Sequence, residues 1–119
     1  MLIRLERFNF DAESFVARDE RLEATTIAPL TAPGAAQAAI FRLAPGGRIA
    51  RHPATVAQVL AVLEGDGHVS GGDGTFEPIA AGEAVFWSAG EEHETVSDGG
   101  LTAVVLEAAE LRPPSRRPR

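Results

Sequence analysis

The spacing of turn-forming residues constrains the fold of this chain more than any other feature. Short runs rich in Val, Ile, Leu, Phe and Thr alternate with clusters of Gly, Pro, Asp and Ser. The runs recur at roughly 8–12-residue intervals, which is typical of β-sandwiches and β-barrels. Glycine and aspartate in the breaks supply the backbone angles that tight hairpins need. The pattern therefore predicts an all-β fold.

The predicted strands share short length and β-branched, aromatic or aliphatic content. They cover residues 2–8, 23–28, 36–43, 48–51, 56–63, 68–70, 75–79, 84–88, 93–97 and 101–107. Glycine-containing turns are predicted between them, including residues 44–47 and 65–67. One short helix is predicted at residues 11–21, with Asp11 as its N-cap.

Size, charge and cysteine content limit the class of protein. A chain of 119 residues is enough for one domain, which we expect at residues 1–109. The longest apolar run spans residues 59–63, far short of the ~20 residues of a membrane helix. A formal net charge of −6 argues against a phosphate-binding surface for nucleic acid. Cysteine is absent, so disulfides and thiolate metal sites are excluded.

The two ends of the chain carry separate predictions. The N-terminus lacks a charged stretch followed by an apolar one, so no export signal is expected and a cytoplasmic location fits. Residues 110–119 are rich in arginine and proline and are predicted to be a disordered tail. A weak electrostatic tether to an acidic partner is the alternative role for this tail.

The run at residues 56–63 is apolar at both odd and even positions. Successive side chains of a strand point to opposite faces, so such a strand is covered from both sides. One face would look into a barrel, and the other would pack on a second layer or on another subunit. Pairing of two copies through this outer face would give a homodimer.

Two of the three histidines, His52 and His93, lie far apart in the chain, and each is expected near the end of a strand. Positions 52, 54 and 58 have the same parity, so an unbroken strand would present all three on one face. His93 follows a glycine-containing turn and opens a predicted strand. Both histidines are thus expected at a barrel rim, where they could converge in one cavity.

The residues around these histidines resemble the paired motifs of the cupin superfamily. Those motifs read G-x5-H-x-H-x3-E-x6-G and G-x5-P-x-G-x2-H-x3-N. The matching residues here, all at the family spacing, are Gly46, His52, Gly65, Gly82, Gly90 and His93. The resemblance implies a small double-stranded β-helix, or jelly-roll barrel, with a pocket at its mouth.

The departures from these motifs include two of the four metal-ligand positions. In the family, three histidines and the glutamate hold one divalent metal. Here Ala54 replaces the second histidine and Gln58 replaces the glutamate, while Ser88 and Ser97 replace the proline and asparagine. The resemblance thus leaves His52, Gln58 and His93 as candidate metal ligands.

Two states of this site remain open. One divalent metal (Zn, Fe, Ni or Mn) could bind weakly, because two imidazoles and an amide bring no negative charge. Ala54 would then leave a gap for water or an exchangeable ligand. In the other state no cofactor is present, and the same side chains hold a ligand by hydrogen bonds.

Other conspicuous residues receive structural interpretations. His68 matches no family ligand position and is expected to be an exposed strand residue. Phe86 and Trp87 are adjacent, so only one of them can face the lumen, where it would form an apolar wall. Alternation directs Glu94 away from the face of His93. No catalytic residue is assigned.

Three functions are compatible with these features. The first is a metal-dependent enzyme of the oxygenase, isomerase or lyase type acting on a small molecule. The second is a metal-free module that binds or senses a small ligand, which the losses at Ala54 and Gln58 favour. The third is a purely structural or dimerising barrel. Membrane and nucleic-acid partners are not expected.

Overall fold

The computed structural model describes residues 7, 11, 14–17, 21–29 and 34–112. These residues form eight strands, and every strand pairing among them is antiparallel. The strands are β1 (Phe15–Val16), β2 (Leu22–Pro29), β3 (Ala36–Pro53), β4 (Gln58–Ser70), β5 (Phe76–Ala80), β6 (Ala84–Trp87), β7 (Glu92–Ser97) and β8 (Leu101–Ala108). The predicted all-β, jelly-roll class is confirmed.

Two long strands, β3 and β4, each change pairing partners along their length. The first part of β3 pairs with β8, and its last part pairs with β7. In the same way, β4 pairs first with β8 and β6, and then with β5 and β7. The paired strands surround a core of aliphatic side chains and one tryptophan: Leu43, Ile49, Leu60, Val62, Val69, Ile79, Trp87, Leu101, Ala103 and Val105.

The prediction of turns at residues 44–47 and 65–67 is wrong. Both segments are bends inside continuous strands, so the predicted strands 36–43 and 48–51 are one strand, as are 56–63 and 68–70. Gly46 and Gly65 adopt φ angles of 81° and 80°, which glycine tolerates because it has no Cβ. The backbone bends there, and strand pairing continues with a new partner on each side of the bend.

The predicted helix at residues 11–21 is also wrong in its described part. Phe15 and Val16 form β1, which pairs with Ile27 and Thr26 on the edge of β2. Pairing to that edge satisfies the backbone of a segment too short and too weakly amphipathic to be stable as a helix. The predicted strand at residues 2–8, apart from Arg7, and the tail beyond Arg112 lie outside the described residues. No helix that could cross a membrane occurs among the described residues.

Candidate functional site

His52 and His93 lie at strand ends on the same rim of the barrel. His52 is the penultimate residue of β3, and His93 is the second residue of β7. The two residues are direct Cα partners across the β3–β7 pairing. Their rings lie with centroids 4.3 Å apart and planes inclined by 52°. The predicted convergence of the two imidazoles is therefore present.

Gln58 reaches the same place from a different strand. The parity argument assumed one unbroken strand through positions 52 to 58, and that assumption is wrong. The strand β3 ends at Pro53 and β4 begins at Gln58, with residues 54–57 forming the connection. Gln58 nevertheless lies between β8 and β6, where its Cα partners are Glu107 and Trp87.

These side chains line one small, partly open cavity of about 110 Å³. Its polar wall consists of Arg21, His52, Gln58, His93, Thr95 and Glu107. Its apolar wall consists of Leu22, Phe41, Ile49, Leu60, Trp87 and Val105. Ala54 does not line the cavity, so the gap expected beside it is not part of this space.

Each histidine ring is hydrogen-bonded to the backbone carbonyl of the residue two positions before it. The Nδ1 of His52 lies 2.8 Å from the carbonyl oxygen of Ala50. The Nδ1 of His93 lies 3.1 Å from the carbonyl oxygen of Glu91. A carbonyl can only accept, so each Nδ1 carries the proton and each neutral ring keeps its lone pair on Nε2. Within the described part of the chain, neither Nε2 has a hydrogen-bond partner.

The amide of Gln58 is oriented by a carboxylate. Its Nε2 donates a hydrogen bond to Oε1 of Glu107 at 3.0 Å. Since a carboxylate can only accept, the amide nitrogen faces Glu107 and the amide oxygen remains as an acceptor. Gln58 is 9% exposed and His93 is 2% exposed. Two imidazole nitrogens and one amide oxygen are therefore unused acceptors on the wall of one cavity.

Burial sets the protonation of His93. Desolvation lowers the pKa of this imidazole below its ordinary value of 6.5, and the positive charge of a protonated His52 acts in the same direction. The hydrogen bond to the Glu91 carbonyl opposes this shift. The neutral form, whose lone pair can bind a cation, is thus favoured at neutral pH.

The aromatic pair behaves as alternation predicts. Trp87 is 2% exposed, and its ring centroid lies 4.4 Å from that of His93. Phe86 is only partly buried and lies outside the cavity wall. The side chain of Glu94 is on the opposite face from the buried His93 and Thr95, as expected.

His68 is exposed, as predicted, and lines a different groove. That groove is open, measures about 570 Å³, and carries four acidic residues: Asp66, Glu77, Glu83 and Asp98. It is the larger of the two spaces, but none of the candidate ligands His52, Gln58 and His93 lines it. No group of three or more His, Asp or Glu suited to a metal occurs in the part of the chain that the structure describes.

Sequence reasoning missed Glu107 as a member of the site. The sequence did contain a signal for Glu107, because the side chains at positions 101, 103, 105 and 107 of one strand lie on the same face. Leu101, Ala103 and Val105 are buried in the core, and Glu107 continues their row to the rim. Arg21 was missed because it was assigned to the predicted helix.

Comparisons with known proteins agree with this architecture. The family model described as "Cupin domain" matches residues 39–108. The polyketide cyclase RemF from Streptomyces resistomycificus superposes with a TM-score of 0.77 at 24% identity, covering 93% of this chain and 83% of that one. The search of curated proteins gave no match.

Two further solved structures have the same fold. An RmlC-like cupin from Shewanella frigidimarina has a TM-score of 0.71 and 21% identity, with 88% of this chain and 92% of that chain covered. A predicted oxalate decarboxylase from Thermotoga maritima has a TM-score of 0.64 and 24% identity, with 69% and 77% covered. At these identities the likeness establishes the fold alone.

Proposed function

This chain belongs to the cupin family, and on that premise we propose that it binds a small molecule beside one divalent metal held by His52, Gln58 and His93. The observation that carries the proposal is the chemistry of the cavity wall. Among the described residues, Nε2 of His52, Nε2 of His93 and the amide oxygen of Gln58 have no hydrogen-bond partner. Three electron-pair donors on the wall of one cavity can serve as ligands of a cation.

The donor set also limits the kind of metal. Neutral imidazole suits zinc, iron and nickel, and an amide oxygen is accepted by manganese as well. Backbone carbonyls that fix the other ring nitrogen are the usual support of metal-binding histidines. Because none of the three ligands is charged, we propose weak binding that strengthens when an anionic ligand completes the coordination.

The cavity wall suggests how a ligand would lie. A bound metal would supply a Lewis acid or an oxygen-activating centre for an oxygenase, isomerase or lyase reaction. Trp87, Phe41 and Leu60 form an apolar surface against which a ligand packs and from which water is excluded. An oxygen-rich substrate would agree with the names of two structural neighbours, a polyketide cyclase and a predicted oxalate decarboxylase.

A metal-free ligand-binding module is the second candidate function. The substitutions at Ala54 and Gln58 favour it, because they remove an imidazole and a carboxylate from the family motif. In that case the same acceptors would take hydrogen bonds from hydroxyl or amide groups of a ligand. Such a protein would act as a sensor or carrier without turnover.

Metal content separates the two candidates. We would dialyse the purified protein to equilibrium against buffered Zn²⁺, Ni²⁺ or Mn²⁺ and measure the excess metal on the protein side by elemental analysis. About one equivalent is expected for the wild type and for the control His68→Ala, whose imidazole is exposed and outside the cavity. Loss of that metal is expected in His93→Ala.

Because His93 is buried, its variant could also fail to fold. The partly exposed His52 offers a milder substitution, and His52→Ala is expected to lose the metal with its circular dichroism spectrum unchanged. If the folded wild type binds no metal under any loading condition, the metal proposal is overturned. Equal retention in both histidine variants would overturn the assignment of these ligands.

A further inference from the structure

We infer that Glu107 is the anionic member of the site, and that it both compensates the charge of the bound cation and orients the amide of Gln58 toward it. This inference rests on the proposed metal site. It assigns a role to a residue that lies outside both family motifs, which span residues 46–97. Glu107 is a positioning residue in this account.

The position of Glu107 follows from the pairing of β4 with β8. Gln58 and Glu107 are direct Cα partners, so their side chains share one face of the sheet. The hydrogen bond of 3.0 Å joins them at the cavity wall, which both residues line together with His52 and His93. A carboxylate therefore stands beside the residue that replaces the motif glutamate.

The hydrogen bond decides which amide atom is available. A glutamine side chain can rotate its amide by half a turn, and only one orientation presents oxygen to a cation. The carboxylate of Glu107 accepts from the NH₂ group and thereby excludes the other orientation. Without that carboxylate, the NH₂ group of Gln58 would be free to turn toward the cavity and repel a cation.

The side-chain hydrogen bond of Glu107 goes to a neutral group, although the cationic Arg21 lines the same cavity. A carboxylate at a partly buried position attracts a cation more strongly than one in bulk water does. A divalent cation at the neighbouring acceptors would be attracted in this way, while the carboxylate would offset the charge that three neutral ligands leave uncompensated.

Gln58 and Glu107 together contain the carboxylate of the family motif, but on a different strand. The carboxylate expected at position 58 by resemblance to the family stands instead at position 107, on the neighbouring strand. Exchanging the two residues keeps one amide and one carboxylate, and it keeps a hydrogen bond between them with the donor reversed. This symmetry gives a rescue experiment.

We would measure Zn²⁺ binding by isothermal titration calorimetry on four proteins. These are the wild type, Glu107→Gln, the exchange Gln58→Glu/Glu107→Gln, and the control Glu110→Gln, which removes an exposed carboxylate beyond the cavity. Glu107→Gln is expected to weaken binding about 10–100-fold, as loss of a supporting residue does. The exchange is expected to restore wild-type affinity, and the control to leave it unchanged.

A thermal measurement distinguishes this role from a merely structural one. Without metal, Glu107→Gln should unfold close to the wild-type temperature, because Glu107 is only partly buried and the substitution changes its charge but hardly its size. The Zn²⁺-induced rise in that temperature should shrink in the variant. Wild-type affinity in Glu107→Gln would overturn the inference while leaving the proposed metal site standing. Absence of Zn²⁺ binding in the wild type would overturn both.

Discussion

His52 and His93 face each other as cross-strand partners, with ring centroids 4.3 Å apart. Each ring is fixed by a carbonyl two residues earlier on its own chain segment, Ala50 for one and Glu91 for the other. The same local device therefore orients both imidazoles. Backbone hydrogen bonds and the ring contact with Trp87 together hold the pair in place.

The protonation of His93 gives a prediction for the metal-free protein. Burial lowers the pKa of this imidazole below 6.5, more than the hydrogen bond to the Glu91 carbonyl raises it. A histidine NMR titration, assigned by loss of the signal in His93→Ala, should place the pKa of His93 below 6.5. A pKa above 6.5 would mean that the cavity stabilises the imidazolium, contrary to this account.

The same shift predicts the direction of a stability change. The folded state binds fewer protons at His93 than the unfolded chain does as the pH falls below 6.5. The stability that comes from burying the neutral ring is therefore complete above 6.5 and declines as the pH is lowered. Urea unfolding should show the wild type losing more stability on acidification than His93→Gln. An equal loss in both proteins would contradict the prediction.

Trp87 provides an internal probe of the site. It is the only tryptophan, it is 2% exposed, and its ring centroid lies 4.4 Å from that of His93. Binding of Ni²⁺ or Cu²⁺ should quench its fluorescence, whereas Zn²⁺, with a filled d shell, should not. Quenching at one equivalent should disappear in His52→Ala. Unchanged emission with stoichiometric Ni²⁺ bound would show that the metal lies elsewhere.

Gly65 is predicted to be essential to the bend in β4. Its φ is +80°, and a Cβ there would collide with the backbone of Gly100 and Leu101. Gly74 has a similar φ of +76° but open space around it. By urea unfolding, Gly74→Ala should cost about 1 kcal/mol, the cost of the backbone conformation alone. Gly65→Ala should cost clearly more, and equal losses would argue against the collision.

The outer face of the barrel favours the homodimer predicted from the sequence. Leu106 is 39% exposed, and its Cα partners Ala38 and Val59 are also apolar. Light scattering after size exclusion should give twice the 12.5 kDa mass of the chain. Leu106→Arg should give a single chain, while the control Phe76→Arg, on β5, should not. A wild-type monomer would contradict this prediction.

The sequence was sufficient to predict the fold class and the meeting of His52 with His93. Both depend on local signals, namely strand composition and glycine spacing, which act over a few residues. The bends at Gly46 and Gly65 were misread as turns because positive φ serves both purposes. Only the pairing partners, which are distant in sequence, distinguish a bend from a turn.

The role of Glu107 was beyond a motif-based prediction for a related reason. Its partner Gln58 is 49 positions away in the chain, and the register that aligns them depends on an irregularity between Val62 and Glu64. Alternation along β8 indicates an inward side chain, but no local signal indicates which residue it meets. Cross-strand pairing of this kind is a property of the assembled sheet.

The most direct test of the central claim is anomalous diffraction from crystals of the zinc-loaded protein. The account predicts one anomalous peak inside the cavity, about 2.0–2.1 Å from Nε2 of His52 and from Nε2 of His93. The amide oxygen of Gln58 should face the peak, and Glu107 should still hold the amide nitrogen. An empty cavity, with zinc bound only at exposed positions such as His68, would contradict the account.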